Sequence, residues 1–358
     1  MGKDKVIFRA DGGANIGLGH IMRCLNLADG LKEKGMQCIF ITKDIDPEAG
    51  KRIVDSGHLI ERLPAEIDLE EDLNLTIKLI KKHQPDLVVT DSYDINEIYL
   101  RRIKDLNIPL MSIDDLANMH FFSDIVLNQN IEVKVSDYSR ERYTKLLLGP
   151  KYVLLRKEFR NKHFLKKEIK KFVENILVTL GGTDPDNQTL KVVKALKGMK
   201  DNIKITVVMG PGYQYEEVLR KETEADNRFI FTRDPQDIFG LMKKADIAIS
   251  GGGSTCYELA YLGVPNIILV LADNQKKIAE GLDNYGTSIN LGWFKEVTED
   301  KIKEAVVDLI GNKEKREEMS KKGRKIVDGK GVERVVEEIC GAIEKRKTNH
   351  EGTETQRR

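Results

Sequence analysis

The sequence predicts an α/β protein built of two doubly wound, Rossmann-like domains. Three observations predict it. Short β-branched apolar runs alternate with amphipathic helical segments along the chain, the alternation lapses once near the middle and restarts, and three of the apolar runs end in glycine-rich turns that lead into helices. Alternating strand and helix patterns mark parallel sheets covered by helices on both faces, and 358 residues suit two such domains.

In the first half the strand candidates are residues 6–8, 38–42, 59–63, 87–90, 110–113, 125–127 and 145–148. Residues 21–34 and 69–82 carry helical periodicity, and Gly35 is placed to cap the first of them. Residues 151–174 are strongly basic and lose the strand pattern, as a linker does, which sets the N-terminal domain at 1–150. Strand candidates return at 176–180, 204–209, 228–231, 247–250, 266–270 and 288–291, followed by amphipathic helices at 298–310 and 332–346. The C-terminal domain is expected over 175–345, with 346–358 as a polar, disordered tail. Ligands of doubly wound sheets bind outside the carboxyl ends of the strands, so the active site is expected in a cleft between the two domains.

Composition narrows the function. Lys and Arg total 59 against 58 Asp and Glu, a net charge of +1, so no overall field draws the protein to nucleic acid or an anionic membrane, and an anionic ligand needs a local site. Cys24, Cys38, Cys256 and Cys340 lie far apart without CxxC spacing, which argues against a zinc ribbon, a thioredoxin-type site or a disulfide framework. The start, MGKDKVIFRAD, lacks the apolar core of a signal peptide, and the longest apolar stretch, 267–272, is far too short to span a bilayer. A cytoplasmic protein without membrane insertion is expected. The basic stretch 156–171 reads as a solvated linker face, with Phe159, Phe164 and Leu165 as its large apolar residues.

The glycine-rich turns lie in FRADGGANIGLGHIMRCLNLA (8–28), LVTLGGTDPDNQTLKVVKAL (177–196) and IAISGGGSTCYELAYLGVP (247–265). Glycine lets backbone approach a ligand closely, and the N–H groups that open a helix carry about half a positive charge, so such turns favour phosphate. A single turn of this kind serves equally well just to turn the chain. Three, two of them in one half, point to a diphosphate held mainly by the C-terminal domain. None fits GxxxxGK[ST], which disfavours a P-loop ATPase. Gly17-Leu18-Gly19 has no third glycine at the dinucleotide spacing and no well-placed acidic partner, which disfavours a dehydrogenase.

His20 directly follows that triplet and opens a helix, a position that favours the neutral imidazole and makes it a candidate general base for water. The alternative is a histidine that caps the helix or contacts phosphate. His58, His83, His120, His163 and His350 read as solvated. Asp11, the run Asp91-Ser92-Tyr93 and the pair Asp114-Asp115 each follow a strand and face the same crevice, though aspartate at strand ends is also ordinary turn chemistry. With no histidine or third carboxylate at ligand spacing, no metal is expected. Glu258 falls one helical turn after Ser254, where it either binds two ribose hydroxyls or, on the surface, complements the helix N-terminus. Ala272-Asp273-Asn274-Gln275 offers amides and a carboxylate to sugar hydroxyls, or caps the next helix.

In order, RADGGANIGLGHIMRCLNLA, IDDLA, DIVLNQN, LLGPKYVLLRKEF, LGGTDPDNQT, GGGSTCYELAYLGVP and ADNQ resemble the UDP-sugar hydrolase family of pseudaminic acid biosynthesis. The resemblance extends to related spore-coat polysaccharide proteins and covers about residues 5–290. It implies a GT-B fold, like that of the glycosyltransferase making lipid II of peptidoglycan, with the nucleotide held by the C-terminal domain. It further implies hydrolysis of UDP-2,4-diacetamido-2,4,6-trideoxy-β-L-altropyranose: water attacks the anomeric carbon with inversion, UDP and the free sugar leave, and no metal or other cofactor takes part. By the same resemblance His20 is the catalytic residue, Asp11 and Tyr93 lie near the sugar, and Gly17 with the backbone at Gly181 and Gly182 faces the diphosphate. Ser254 and Thr255 complete the phosphate cradle, Glu258 binds the ribose, Asn274 and Gln275 contact sugar or phosphate, and residues 233–238 read the uracil. The expected partner is a small-molecule UDP-sugar and not nucleic acid. A glycosyltransferase of spore-coat or surface polysaccharide, and a nucleotide-sugar binding protein without catalysis, are the alternatives.

Overall fold

Strands buried on both faces of a parallel sheet read as unbroken apolar runs, and the runs of the first half assemble into one such sheet. The structure is a computed structural model that describes residues 3–13, 18–160, 167–199 and 202–355, with side chains to residue 348. It divides into two units, Met1–Lys157 with Lys330–Arg358, and Glu158–Gly329.

The first unit contains β1 (Lys5–Ala10), β2 (Gln37–Thr42), β3 (Leu59–Arg62), β4 (Leu87–Asp91), β5 (Leu110–Ile113), β6 (His120–Phe121), β7 (Ile125–Asn128), β8 (Ser139–Arg140) and β9 (Lys145–Leu148). β6 and β8 pair with each other; the rest form one parallel sheet in the order β3-β2-β1-β4-β5-β7-β9. Helices α1 (Gly19–Glu33), α2 (Pro47–Asp55), α3 (Leu69–His83) and α4 (Glu97–Lys104) connect the strands. Alternation along β1 sends Val6, Phe8 and Ala10 into a core shared with α1, and Ile7 into a second core shared with α3 and α4.

The second unit repeats the plan with β10 (Asn175–Thr179), β11 (Lys204–Met209), β12 (Phe229–Arg233), β13 (Ile247–Gly251), β14 (Asn266–Val270) and β15 (Ser288–Trp293). These are parallel in the order β12-β11-β10-β13-β14-β15. Its helices are α5 (Gln188–Lys197), α6 (Glu216–Glu222), α7 (Ile238–Lys244), α8 (Thr255–Leu262), α9 (Lys276–Asn284), α10 (Glu299–Gly311) and α11 (Lys313–Ile326). In each sheet the order runs outward from its first strand and then reverses. A switch point therefore opens between β1 and β4, and another between β10 and β13. The three glycine-rich turns follow β1, β10 and β13, beside these points.

Several expectations change. The helix read at 332–346 is placed by sequence in the C-terminal domain, but α12 (Gly331–Thr355) lies in the first unit, where Val332, Val335, Val336, Ile339 and Ile343 join the core under α1. Periodicity reveals an apolar stripe without saying which sheet it covers. Lys145 pairs with Glu338 at 2.6 Å and Lys347 with Asp4 at 2.5 Å, fixing the same helix from its flanks. The tail expected to be disordered, 346–358, is helical through Thr355, because a proline-free polar segment continues a helix readily once the preceding turns are anchored.

The units divide between Lys157 and Glu158, inside the stretch 151–174 read as a linker. Phe159 is buried against Phe239, ring centroids 5.2 Å apart, and does not stand on a solvated face; Phe164 and Leu165 lie outside the described residues. His58 is likewise buried, with Nε2 3.1 Å from Asp29, while His83 and His120 face Glu61 and Glu141 at 2.6 and 3.3 Å. These carboxylates are distant in sequence, which is why spacing does not reveal them. His163 and the His350 side chain lie outside the described residues. Among the described residues no helix is long and apolar enough to cross a membrane.

Ile339→Ala is expected to destabilise the protein by about 2–5 kcal/mol through the cavity it leaves in the first unit. Urea unfolding checks this, and an unchanged midpoint would remove α12 from that core.

Candidate functional site

Charged side chains gather at the carboxyl ends of β1 and β4, where an apolar core would exclude them. Buried Arg9 donates from Nη1 to Asp11 Oδ2 at 2.8 Å and from Nε to Asp72 Oδ1 at 3.0 Å, with a further bond from Nη2 to Asp72. Asp11 Oδ1 accepts from Lys43 N at 2.7 Å and from Thr42 Oγ1 and Asp44 N at 3.2 Å each. Both oxygens of Asp11 are thus engaged, Oδ1 tying the end of β1 to the end of β2 and the turn after it, and Oδ2 held by Arg9. Burial works against the Asp72 carboxylate, but Arg9 and Tyr99 hold it below the usual carboxylate range.

His20 stands in the first turn of α1, 5% exposed, with the Tyr93 ring edge-on at 4.4 Å. Its Nδ1 lies 3.2 Å from Asp91 Oδ1, close but not aligned as a hydrogen bond, and its Nε2 has no hydrogen-bond partner among the described residues. Asp91 in turn receives Arg23 in a forked pair, Nε to Oδ2 and Nη2 to Oδ1, each 2.7 Å. The remaining nitrogen, Nη1, donates to both oxygens of Asp115 at 2.9 and 2.8 Å. Tyr93 Oη and Asn130 Nδ2 each donate to Asp115 at 3.0 Å. Burial opposes the Asp115 charge, yet Arg23 and then His20 hold that carboxyl below its usual range, whereas burial pushes neighbouring Asp114 up. A carboxylate facing Nδ1 favours a proton there and leaves Nε2 as the basic nitrogen. Sequence reasoning misses Arg23 and Asn130. Arg23 had a signal: it sits three residues after His20, on the same face of a helix whose neighbours are apolar.

A cavity of about 20 Å³, the size of one water, lies beside Asp91 and Tyr93 and is lined also by Ser112 and Asp114. A groove of about 790 Å³ runs along Pro85, Ile108 and Arg346, at the amino ends of the strands and away from these residues.

In the second unit Gly181, straight after β10, takes φ +103°, a conformation that favours glycine. Gly182 O accepts from Gly212 N at 3.0 Å. The helix that follows does not offer free amides as the sequence suggests. Asp184 Oδ1 accepts from Gln188 N at 2.8 Å and Oδ2 from Thr189 N at 2.7 Å, so a carboxylate already fills that N-terminus. α8 differs: no side chain caps it, Ser254, its N-cap, is exposed beside Thr255, and the amides of Cys256 and Tyr257 donate only to the carbonyls of Gly253 and Ser254 at 3.0 Å, so no carboxylate among the described residues fills this helix end. Gln275 Oε1 accepts from Gly252 N at 2.9 Å and Leu271 N at 3.0 Å, bracing the turn after β13 against the end of β14. A Cβ at Gly252 would stand 2.9 Å from Gln275 Cβ, so this brace requires glycine. Asn274 is exposed beside it. Glu258 is 3% exposed, which removes the surface-glutamate alternative. Arg233, at the end of β12, pairs with Glu216 at 2.8 Å, and Asp237 caps α7 through Gly240 N. Gly17 lies outside the described residues. Among the described residues no group of three or more His, Cys, Asp or Glu is placed to hold a metal.

Residues 175–337 match the glycosyltransferase family 28 C-terminal domain. The chain is 32% identical over 284 residues to the uncharacterized protein MJ1062 of Methanocaldococcus jannaschii, a match covering 76% of this chain and only 57% of that protein. It is 29% identical to the spore coat polysaccharide biosynthesis protein SpsG of Bacillus subtilis, over 91% of this chain and 95% of that one. It is 27% identical to the UDP-2,4-diacetamido-2,4,6-trideoxy-beta-L-altropyranose hydrolase of Campylobacter jejuni, over 80% of this chain and 98% of that one. Among solved structures, MurG of Acinetobacter baumannii superposes with a TM-score of 0.68 at 17% identity, covering 95% of this chain and 100% of that chain. The fold is the GT-B fold, and the resemblance to the hydrolase and spore-coat proteins extends over most of the chain.

Asp72→Asn is expected to cost about 2–3 kcal/mol at pH 7, since Arg9 loses charge-assisted bonds. Because the Asp72 carboxyl is held low in the folded state, its contribution is present above about pH 4 and is lost as pH falls through the depressed value. Urea unfolding at stepped pH should show wild type and variant converging in acid; a constant gap contradicts the assignment.

Proposed function

We propose that the protein hydrolyses UDP-2,4-diacetamido-2,4,6-trideoxy-β-L-altropyranose, or a close diacetamido deoxysugar analogue, to UDP and the free sugar. The observation that carries this reading is buried His20, with Nδ1 facing Asp91 and Nε2 without a partner among the described residues. A neutral imidazole so held accepts a proton at Nε2 while water attacks the anomeric carbon. The bond from that carbon to the UDP oxygen breaks, the configuration inverts, and the electron pair leaves on the β-phosphate. The uncapped N-terminus of α8, at Ser254 and Thr255, stabilises the charge that develops there, so the reaction requires no metal. In this reading the backbone at Gly181 and Gly182 faces the diphosphate, and Glu258 takes the ribose hydroxyls. Tyr93 and Asn274 contact the sugar. Asp11 and Gln275 act one step back, holding the turns that do the binding.

The likeness to the Campylobacter jejuni hydrolase, which spans 98% of that protein, supports the hydrolytic reading. A second reading is glycosyl transfer in surface polysaccharide synthesis, favoured by the family 28 match and by the likeness to SpsG. An acceptor hydroxyl would then take the place of water.

With chelator present and no acceptor, the purified protein is expected to release UDP from the altrose-configured substrate and not from UDP-N-acetylglucosamine. His20→Ala should reduce that rate by about 10²–10⁴-fold with UDP affinity unchanged. Glu258→Ala should weaken UDP binding about tenfold or more. Bound UDP without turnover would favour transfer, and full activity of His20→Ala would remove the imidazole from the chemistry.

A further inference from the structure

We propose that Arg23 and Asp115 are positioning residues that together govern how readily His20 takes up a proton. The inference rests on the hydrolytic reading of this same site and names two groups that act through the histidine without touching it. Among the described residues, Asp91 at the end of β4 and Tyr93 after it stand against His20, Asp115 after β5 interacts with it electrostatically, and Arg23 on α1 joins the two carboxylates. Asp114 adjoins Asp115, and Cys24 Sγ lies 3.4 Å from Asp91 Oδ2 as a neutral thiol, burial having pushed it well above its ordinary range.

Two carboxylates and one guanidinium, with Asp91 and Arg23 buried and the Asp115 side chain 11% exposed, leave this cluster one negative charge in excess. Proton transfer from the attacking water to Nε2 turns His20 into an imidazolium and cancels that excess. The water oxygen meanwhile bonds to the anomeric carbon, the UDP oxygen departs with its electron pair, and the imidazolium afterwards yields its proton to solvent. A charge that forms in place beside a fixed opposite charge costs no reorganisation, which is where a buried cluster is worth more than the same groups in water. Arg23 has a second effect. Its fork holds both oxygens of Asp91, which keeps one of them 3.2 Å from Nδ1 and favours the tautomer protonated there. Lysine offers a point charge and cannot span both carboxylates in this way.

The test uses the full chain and two variants of nearly conserved shape, Asp115→Asn and Arg23→Lys. Nitrogen-15 NMR of histidine-labelled protein, with His20 assigned by its loss in His20→Ala, should show neutral His20 protonated at Nδ1 in wild type and a mixture of tautomers in Arg23→Lys. Titrating the same signal, Asp115→Asn should move the His20 midpoint down by about one pH unit, since removing an opposite charge makes the imidazolium harder to form. The acid limb of kcat should move with it while KM changes less than twofold. An unmoved midpoint in Asp115→Asn together with an unchanged tautomer in Arg23→Lys overturns the inference. Both NMR readouts need no substrate: if they behave as expected and no UDP-sugar is turned over, the hydrolytic reading fails alone. If His20→Ala is inactive while both variants match wild type, this inference fails alone.

Discussion

Taking Arg23, Asp91 and Asp115 out of water costs several kcal/mol for each charge. The cost is offset only because the guanidinium meets both carboxylates through contacts of 2.7–2.9 Å, three of its nitrogens at once. One helix and the ends of two strands must therefore arrive at one place, since any of these groups alone would be an unpaired buried charge. The reversal of strand order between β1 and β4 provides that place, and α1, which leads out of the same point, carries both Arg23 and His20 into it. The orientation of the imidazole follows from this ionic knot, and the proposed chemistry follows from the imidazole.

The glycine-rich turns show how one local pattern resolves into different structures. Strand, glycines and helix recur after β10 and after β13, and the sequence treats both helix starts as open to phosphate. After β10 the chain supplies its own anion, Asp184, three residues past Gly181, and the amides of Gln188 and Thr189 are taken. After β13 the serine at the N-cap makes no capping bond, and Gln275 reaches across from the next strand to hold the turn without occupying the helix end. The difference lies in an aspartate whose spacing from the helix is a visible capping signal.

Much of the fold is legible because parallel strands covered on both faces must be apolar throughout. The seven main strands of the first unit and the six of the second stand where their apolar runs lie. What escapes is whatever periodicity does not encode. α11 reads as polar along most of its length, because it packs through Gly323 close to the backbone at Ala260 and through Ser320 at Gly263, with Met319 entering the core and no apolar stripe. α12 has a clear stripe, but its destination is set by which sheet face lacks cover, a property of the folded chain. At the site, His20, Tyr93 and Glu258 were marked by their places beside glycine turns and strand ends. Arg23 and Asn130 were not: the Asp115 they share lies 92 and 15 residues away, and the place of Arg23 one turn after His20 says nothing of that partner.

In the proposed reaction water attacks the anomeric carbon while UDP departs from it. Turnover of the altrose-configured substrate in oxygen-18 water, followed by mass spectrometry of both products and NMR of the first sugar anomer formed, tests it most directly. Attack at carbon with inversion gives one labelled oxygen in the free sugar, none in UDP, and an α-anomer appearing before mutarotation. Label in the UDP phosphate, which would mean attack at phosphorus, or a β-anomer formed first, would contradict it.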